Sequence, residues 1–378
     1  MESANDTGVY DKVKDYYGHT IQTTDDLATN ACTMDKSAMT RPIREATALI
    51  HPEIIQKNYG CGAVIPEGVK GRSMLDLGSG AGLDCFVLSR LVGEEGRVVG
   101  VDMTKEQLDV ARRYVDYHTE KFGYSCPNVE FKEGYIECLD KAGIESETFD
   151  FIVSNCVVNL SPDKGAVLRE AYRVLKPGGQ MYFSDIYTNQ EMPQALKDNS
   201  VLWGECLSGA LKWTELVQLA MDIGFAPPIL VTSVTFTSDN DTVSQLLAEA
   251  GSPDLKFCTA TYRLIKTSWD KCNTDDPIVD VEYKGGISGH EKSVKFSYQG
   301  ELLANTKVPM PESTATLLSQ LPMDVSIVGP SPSITTPYPK ISGYLTVDPF
   351  KVAGGSIEMT TPKALSGGCC SGPKSCCS

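Results

Sequence analysis

The chain has 378 residues, of which 41% are hydrophobic, and it carries a formal net charge of −15. This length is sufficient for two or three domains with buried cores. The acidic excess disfavours nonspecific nucleic-acid binding, which depends on Lys and Arg at phosphates. Neither a signal-peptide pattern nor an apolar run of about 18 residues is visible, so we expect no membrane span. Thirteen cysteines without a secretory signal indicate the reducing cytoplasm, where thiols remain free for chemistry. We expect a monomer.

Residues 1–70 form a lead-in with helical periodicity over 9–17 and 43–59. Residues 71–236 then alternate short apolar runs with helical segments. The predicted strands span residues 73–77, 97–102, 129–132, 149–155 and 180–185. The predicted helix signals are a capping box at Thr104 and Gln107, a start at Ser161 and Pro162, and a stop over 176–179. Strands that alternate with helices predict an α/β fold with a doubly wound, Rossmann-like parallel sheet.

The composition changes after residue 236. We predict a helix over 242–250 and a strand over 257–266. Residues 270–365 are rich in Pro, Gly, Ser and Thr, with weak strand patterns over 278–283 and 294–298 and a short helix over 313–321. We therefore assign 237–365 to a small α+β C-terminal domain. Residues 366–378 form a Cys-rich tail that cannot build a core, and we expect it to be disordered.

A glycine loop follows the first predicted strand. Gly78, Gly80 and Gly82 have the spacing G-x-G-x-G, which differs from the G-x-G-x-x-G that binds the pyrophosphate of NAD. Glycine lets the backbone approach a ligand closely because it has no Cβ. Asp102 ends the next strand, where a carboxylate can accept hydrogen bonds from ribose hydroxyls.

The segment 76–80 together with Asp102 resembles motif I and the acidic loop of class I S-adenosylmethionine (SAM) methyltransferases. This resemblance implies SAM as the cofactor, with Gly78 and Gly80 beside its methionine part and Asp102 at its ribose. It also implies that Met103 packs on the adenine. The remaining residues that it places at the cofactor are Tyr59, Asp76, Ile136, Glu137 and Asn155.

Cys156 ends the fourth predicted strand, and ligands of open parallel sheets bind outside the carboxyl ends of the strands. We therefore expect its thiol to face the transferred methyl group. Many amine-directed methyltransferases carry an Asn/Asp-Pro-Pro-aromatic motif here, whereas this chain has Asn155-Cys-Val-Val158. The thiol at this place indicates a soft acceptor, although a buried cysteine can also be a small core residue.

Three further cysteines stand out: Cys32 in a polar loop, Cys61 between two glycines, and Cys206 on a predicted helix. The motifs around 59–62, 75–80, 153–156, 202–206 and 285–291 resemble those of eukaryotic arsenite methyltransferases. The resemblance implies that Cys61, Cys156 and Cys206 bind arsenic(III). It further implies that Cys32 serves redox turnover.

Thiolates prefer soft elements, and three sulfurs around As(III) leave its lone pair free to attack the methyl group of SAM. Methylation formally yields As(V), which a neighbouring thiol pair could reduce by forming a disulfide. On the resemblance, Cys32–Cys61 is the first candidate pair and Cys156–Cys206 the second. An external thiol reductant, thioredoxin or glutathione, would then reset the enzyme, and no metal cofactor would be required.

Two other functions remain open at this point. The first is SAM-dependent methylation of another soft acceptor, namely selenium, tellurium or a small thiol. The second is sequestration of a metalloid or zinc without catalysis, which predicts metal binding without SAM affinity. The intact glycine loop and Asp102 favour an enzyme, and the leading prediction is methylation of arsenite or its glutathione adducts to methyl- and dimethylarsenicals.

Overall fold

The computed structural model describes residues 4–17, 39–58, 64–199, 202, 207–236, 241–267, 277–298, 300–331 and 347–353. Cys32, Tyr59, Cys61 and Cys206 therefore lie outside the described residues, as does the predicted tail over 366–378. None of the helices in the described ranges has the length and apolar character needed to cross a membrane.

A large, mostly parallel sheet forms the centre of the molecule. Its strands are β1 (Ser73–Leu77), β2 (Arg97–Asp102), β3 (Val129–Glu133), β4 (Phe149–Asn155), β5 (Leu175–Thr188), β6 (Leu211–Lys212), β7 (Ile229–Phe236) and β8 (Phe257–Ile265). They are ordered β3-β2-β1-β4-β5-β8-β7, and β6 pairs with the end of β5. The pairs of β8 with β5 and β7 are antiparallel, whereas β1 pairs in parallel with β2 and β4. The predicted Rossmann-like α/β fold is confirmed.

The helices of the described residues cover both faces of this sheet, except the one over 312–320, which packs on the C-terminal strands. They are α1 (Ala4–Asp15), α2 (Arg41–Thr47), α3 (Pro52–Gln56), α4 (Leu83–Val92), α5 (Lys105–Arg113), α6 (Val115–Phe122), α7 (Lys164–Val174), α8 (Gln194–Lys197), α9 (Trp213–Ile223), α10 (Asp241–Glu249), α11 (Glu312–Gln320) and α12 (Pro349–Ala353). Successive side chains of a strand point to opposite faces. Accordingly, Leu75 belongs to one apolar core and Met74 to the other.

Several predicted helix boundaries are wrong. The periodic run over 43–59 is divided into α2 and α3, because Pro52 starts a new helix and His51 caps it by accepting from the Glu53 N–H. Thr104 makes no capping bond through its side chain. Asp163, not Ser161, caps α7 by accepting from the Ala166 N–H at 2.8 Å. Residues 176–179 lie inside β5, which begins directly after α7.

The C-terminal unit is a separate α+β structure, as predicted. It contains β9 (Ile278–Tyr283), β10 (Ser293–Lys295), β11 (Glu301–Leu303), β12 (Lys307–Pro311) and β13 (Val325–Pro330). Three of these form an antiparallel sheet in the order β12-β9-β13. Its core includes Val281 and Leu318 and continues to Ile229 and Ile265 of the large sheet. Strand β8 of the large sheet lies after residue 236, where we predict the C-terminal domain to begin. The bounds of the domains stay a prediction.

Candidate active site

A cleft of about 990 Å³, measured out to solvent, opens at the carboxyl ends of the first parallel strands. Every predicted site residue that the structure describes lines it. These residues are Asp76, Gly78, Gly80, Asp102, Met103, Ile136, Glu137, Asn155 and Cys156. Residues separated by up to 80 positions in the sequence therefore meet in one site, and their individual roles stay predictions.

Gly78 and Gly80 of the loop have different surroundings. Gly78 has a φ of +72°, and a Cβ there would lie 2.4 Å from a methyl of Val157, so its close approach is to a neighbouring side chain. Gly80 has a φ of +50°, and a Cβ there would meet no atom within 4 Å. Of these two glycines, Gly80 is therefore the one that faces open space, which a ligand can occupy.

Asp102 connects the loop to the second strand. One carboxylate oxygen accepts from the Gly80 N–H at 2.9 Å, and the other accepts from the Thr104 N–H at 2.7 Å. Burial raises the pKa of Asp102, and these hydrogen bonds act against that rise because they stabilise the carboxylate. The residue thus orders the loop and also presents its carboxylate to the cleft.

Two more carboxyl groups lie beneath the loop. Asp76 is 3% exposed, and its pKa is raised well above the usual value by burial and by the nearby charge of Asp84. Burial raises the pKa of Asp84 to about 6, while the Asn155 side-chain amide, which donates at 3.1 Å, opposes the rise. A cationic ligand would stabilise the ionised forms of both groups.

Two buried polar atoms at the cleft have no hydrogen-bond partner within the described part of the chain, namely Ser79 Oγ and Gln107 Oε1. Such atoms require a partner because desolvation without one is costly. SAM carries hydroxyl groups, an ammonium and a sulfonium, which suit these two atoms, the space at Gly80 and the carboxylates. The residues present therefore fit SAM. Neither atom is evident from the sequence, in which Gln107 has the spacing of a helix-capping residue.

The first helix covers one side of the cleft, which no sequence signal predicted beyond its helical periodicity. Tyr10, Val13 and Tyr17 line the cleft. The Gln107 amide donates to the Tyr17 carbonyl at 2.8 Å. Tyr10 also packs on Tyr135, with ring centroids 4.8 Å apart. The lead-in is therefore part of the site.

Cys156 lines the cleft directly after β4. It is 3% exposed, and its φ of +58° is unusual for a residue other than glycine. Its N–H donates to the Ser184 carbonyl at 2.9 Å. Backbone strain of this kind occurs often at functional sites. Cys156 is disulfide-bonded, whereas the other described cysteines are free: Cys85, Cys126, Cys138 and Cys258.

The surroundings of Cys156 are apolar. It shares a cluster with the buried side chains of Val13, Leu160, Ile186, Met192, Leu196, Leu202, Leu207, Ala210, Leu255 and Phe257. These come from helices, strands and loops far apart in the sequence. No group of three His, Cys, Asp or Glu side chains in the described ranges has the geometry of a metal site.

The turn after Cys156 is fastened to the end of β5. The Asn159 N–H donates to Asp185 at 2.9 Å, and the Asn159 amide donates to the Ile186 carbonyl at 2.7 Å. Burial raises the pKa of Asp185 to about 7. On the other side, a Cβ at Gly209 would lie 1.9 Å from the Asn159 carbonyl oxygen, so residues 207–210 pack directly on this turn.

Comparison with known proteins places this site in a family. Residues 69–251 match the model of a methyltransferase domain, and residues 277–377 match that of the arsenite methyltransferase C-terminal domain. The chain is 44% identical to arsenite methyltransferase of Homo sapiens and 43% identical to that of Rattus norvegicus, each over the full length of both chains. This chain belongs to the arsenite methyltransferase family. The predicted family, fold and enzyme class are confirmed.

A solved member of the family has the same fold. The arsenic(III) S-adenosylmethionine methyltransferase of Chlamydomonas reinhardtii superposes with a TM-score of 0.72 at 37% identity, covering 80% of this chain and 100% of that one. As a member of this family, the chain is a SAM-dependent arsenite methyltransferase. The C-terminal unit, in which residues 301–365 carry none of the motifs matched in the sequence, is likewise part of the family architecture.

Proposed function

We propose that this protein transfers the methyl group of SAM to trivalent arsenic, giving methyl- and dimethylarsenicals, with As(III) held by Cys61, Cys156 and Cys206. One observation carries the proposal. A buried cysteine, Cys156, lines the same cleft as the glycine loop and Asp102, so an acceptor bound to its sulfur would lie beside the cofactor.

In the proposed complex, SAM supplies an electrophilic methyl group on its sulfonium. Gly80 leaves space for the methionine part, and Asp102 accepts hydrogen bonds from the ribose. Met103, with Ile136 and Glu137, contacts the adenine. The acidic groups Asp76 and Asp84 complement the positive charge of SAM, and Tyr59, Gly78 and Asn155 complete the site.

The described neighbours of the other thiols support a shared site. Leu207, which follows Cys206 in the sequence, lies in the same apolar cluster as Cys156. Asn58 lines the cleft and precedes Cys61 by three positions. Described neighbours of two proposed ligands therefore lie at the cleft and in the cluster around Cys156, although they are far apart in the sequence.

The chain's residues contribute alignment and exclusion of water in this reaction. Thiolates hold the arsenic so that its lone pair points at the methyl carbon, which reduces the entropy cost of the transfer. The new As–C bond forms as the S–CH₃ bond breaks, and arsenic changes formally from As(III) to As(V). The apolar side chains around Cys156 exclude water, which strengthens the remaining polar interactions.

Reduction must follow each methyl transfer. Two thiolates that form one disulfide supply the two electrons that return As(V) to As(III). We propose Cys32–Cys61 first and Cys156–Cys206 second, with thioredoxin or glutathione of the cytoplasm as the final reductant. The disulfide at Cys156 is consistent with a cysteine that cycles, and a sulfur in a disulfide cannot bind arsenic. The substrate complex therefore requires prior reduction.

The decisive experiment incubates the purified protein with SAM, arsenite and a dithiol reductant and separates the arsenic species by chromatography with elemental detection. We expect methylated arsenic that is absent when SAM or the reductant is omitted. Arsenic that stays bound but unmethylated, while SAM binds normally, would contradict the proposal and redirect the search to selenium, tellurium or thiol acceptors.

A further inference from the structure

Residues 64–70 are the last part of the lead-in before β1, and they begin three positions after Cys61. Val64 is 2% exposed and packs with Tyr182 of β5 and Val231 of β7. Because three residues span at most about 11 Å, the place of Val64 limits where the thiol of Cys61 can lie. The contacts of this segment thus bear on the proposed arsenic site.

An ion pair ties the segment to the large sheet. Arg263 of β8 is fully buried and pairs with Glu67, whose side chain is 11% exposed. The same guanidinium donates to Gln180 Oε1 at 2.9 Å and lies over the Tyr182 ring at 4.7 Å. A buried charge is strongly destabilising without its partner. Arg263 therefore requires Glu67 at this position.

The C-terminal unit contacts the same segment from the other side. Gly68 has a φ of +73°, and a Cβ there would lie 1.9 Å from the carbonyl oxygen of Pro322, which follows α11. Only glycine fits so close to a backbone atom. The contact places Gly68 directly on the C-terminal unit, one residue after the ion pair with the large sheet.

A second contact joins the C-terminal unit to the lead-in. Gly289, in the loop over 285–291, has a φ of +84°, and a Cβ there would lie 2.7 Å from the ring of Pro42 in the first turn of α2. This loop is held by the Gly286 N–H, which donates to Asp324 at 2.8 Å. The loop carries one of the motifs matched in the sequence, to which no role was given.

We propose that the C-terminal unit positions the cysteine-bearing lead-in, through the contacts of Pro322 with Gly68 and of Gly289 with Pro42. Gly68 and Glu67 are positioning residues for the arsenic site, and they do not touch the cofactor cleft. This inference rests on the proposed function, because it assigns to the C-terminal unit the task of holding an arsenic ligand in reach of Cys156.

The test compares Gly68→Ala with Gly71→Ala in the full-length, reduced protein. The two glycines have nearly the same φ, +73° and +71°, so the backbone strain of alanine is matched, but a Cβ at Gly71 meets nothing within 4 Å. Three quantities are measured: the affinity for arsenite, the affinity for SAM, and the hydrogen exchange of peptides covering residues 64–70.

For Gly68→Ala we expect arsenite affinity to fall at least about tenfold, SAM affinity to stay within about twofold, and exchange over 64–70 to accelerate. Gly71→Ala should match the wild type in all three. Glu67→Gln, which removes the charge but keeps the shape, should reproduce the pattern if Gly68→Ala proves insoluble.

Unchanged arsenite affinity in both Gly68→Ala and Glu67→Gln would overturn the inference, as would an equal loss of arsenite and SAM affinity. Failure of the wild-type protein to bind arsenite would contradict the proposed function instead. In that case hydrogen exchange still tests the contact, because acceleration limited to Gly68→Ala supports it and equal exchange in both alanine variants refutes it.

Discussion

The two sides of the cleft, which we propose bind the cofactor and the acceptor, are built in different ways. The cofactor side uses short motifs at consecutive strand ends, where Gly80 and Asp102 are joined by a backbone hydrogen bond. The acceptor side gathers Val13, Cys156 and Leu207 from three distant segments. The difference shows why cofactor binding should tolerate changes that abolish acceptor binding, and the following predictions test this separation.

The largest effect is expected from Cys156→Ser. The hydroxyl is a hard, weak ligand for arsenic, so methyl transfer should fall at least about 1000-fold, which corresponds to roughly 4 kcal/mol. SAM affinity should remain within about threefold because the glycine loop is untouched. Activity is measured by chromatography of arsenic species and SAM binding by calorimetry. Cys126→Ser, at an exposed free cysteine, is the control, and loss of SAM binding in Cys156→Ser would contradict the separation of the two sides.

The two glycines of the loop should separate folding from binding. Gly78→Ala should lower the free energy of unfolding by about 2–3 kcal/mol, because left-handed strain adds to the clash with Val157. Gly80→Ala places its methyl in open space and should cost only about 1 kcal/mol of stability, while SAM affinity falls about tenfold or more. Denaturant unfolding and calorimetry measure the two quantities. Equal unfolding free energies would refute the packing role of Gly78.

Acid should loosen the lead-in through His118. This side chain is 1% exposed and accepts from the His51 N–H at 3.2 Å, while its other ring nitrogen bonds the Tyr114 carbonyl. Burial lowers the pKa of His118 to about 4 from 6.5. Between pH 6.5 and 4 the unfolded chain thus binds a proton that the folded chain does not. The free energy of unfolding therefore decreases as the pH is lowered through this range.

The free energy of unfolding, measured between pH 7 and 4.5, should decrease less steeply in His118→Gln than in the wild type, by about 1–2 kcal/mol over this range. Glutamine keeps an acceptor for the His51 N–H but does not titrate. Parallel curves for the two proteins would show that His118 does not control the acid response.

The smallest effect is a pH dependence of cofactor binding. SAM is cationic and favours ionised carboxylates, so its affinity should rise as the pH passes about 6, the pKa of Asp84. We expect a gain of at most about tenfold between pH 5 and 7.5, and a shallower rise in Asp84→Asn. Calorimetry in two buffers of different ionisation enthalpy should detect proton release on binding. A pH-independent affinity would mean that these carboxyl groups do not sense the cofactor.

Much of the fold could be predicted from local patterns. The bounds of β1, β2 and β4 agree with the predicted strands, because buried parallel strands are continuous apolar runs bounded by turn residues. Asp102 and Cys156 could be placed at one edge, since parallel strands end together. The helix starts were less predictable. The Gln107 side chain, for example, donates to the distant Tyr17 carbonyl instead of completing the local capping box with Thr104.

The sequence by itself determined the parallel sheet, the glycine loop and the place of Cys156 after β4, because hydrophobic period and backbone conformation are local properties of the chain. Only the tertiary structure decided that α1 covers the cleft, that Gly78 is required by Val157, and that Glu67 pairs with Arg263 across 196 positions. Such contacts depend on which surfaces meet after folding. The periodicity and spacing of residues within one segment carry no information about these long-range contacts.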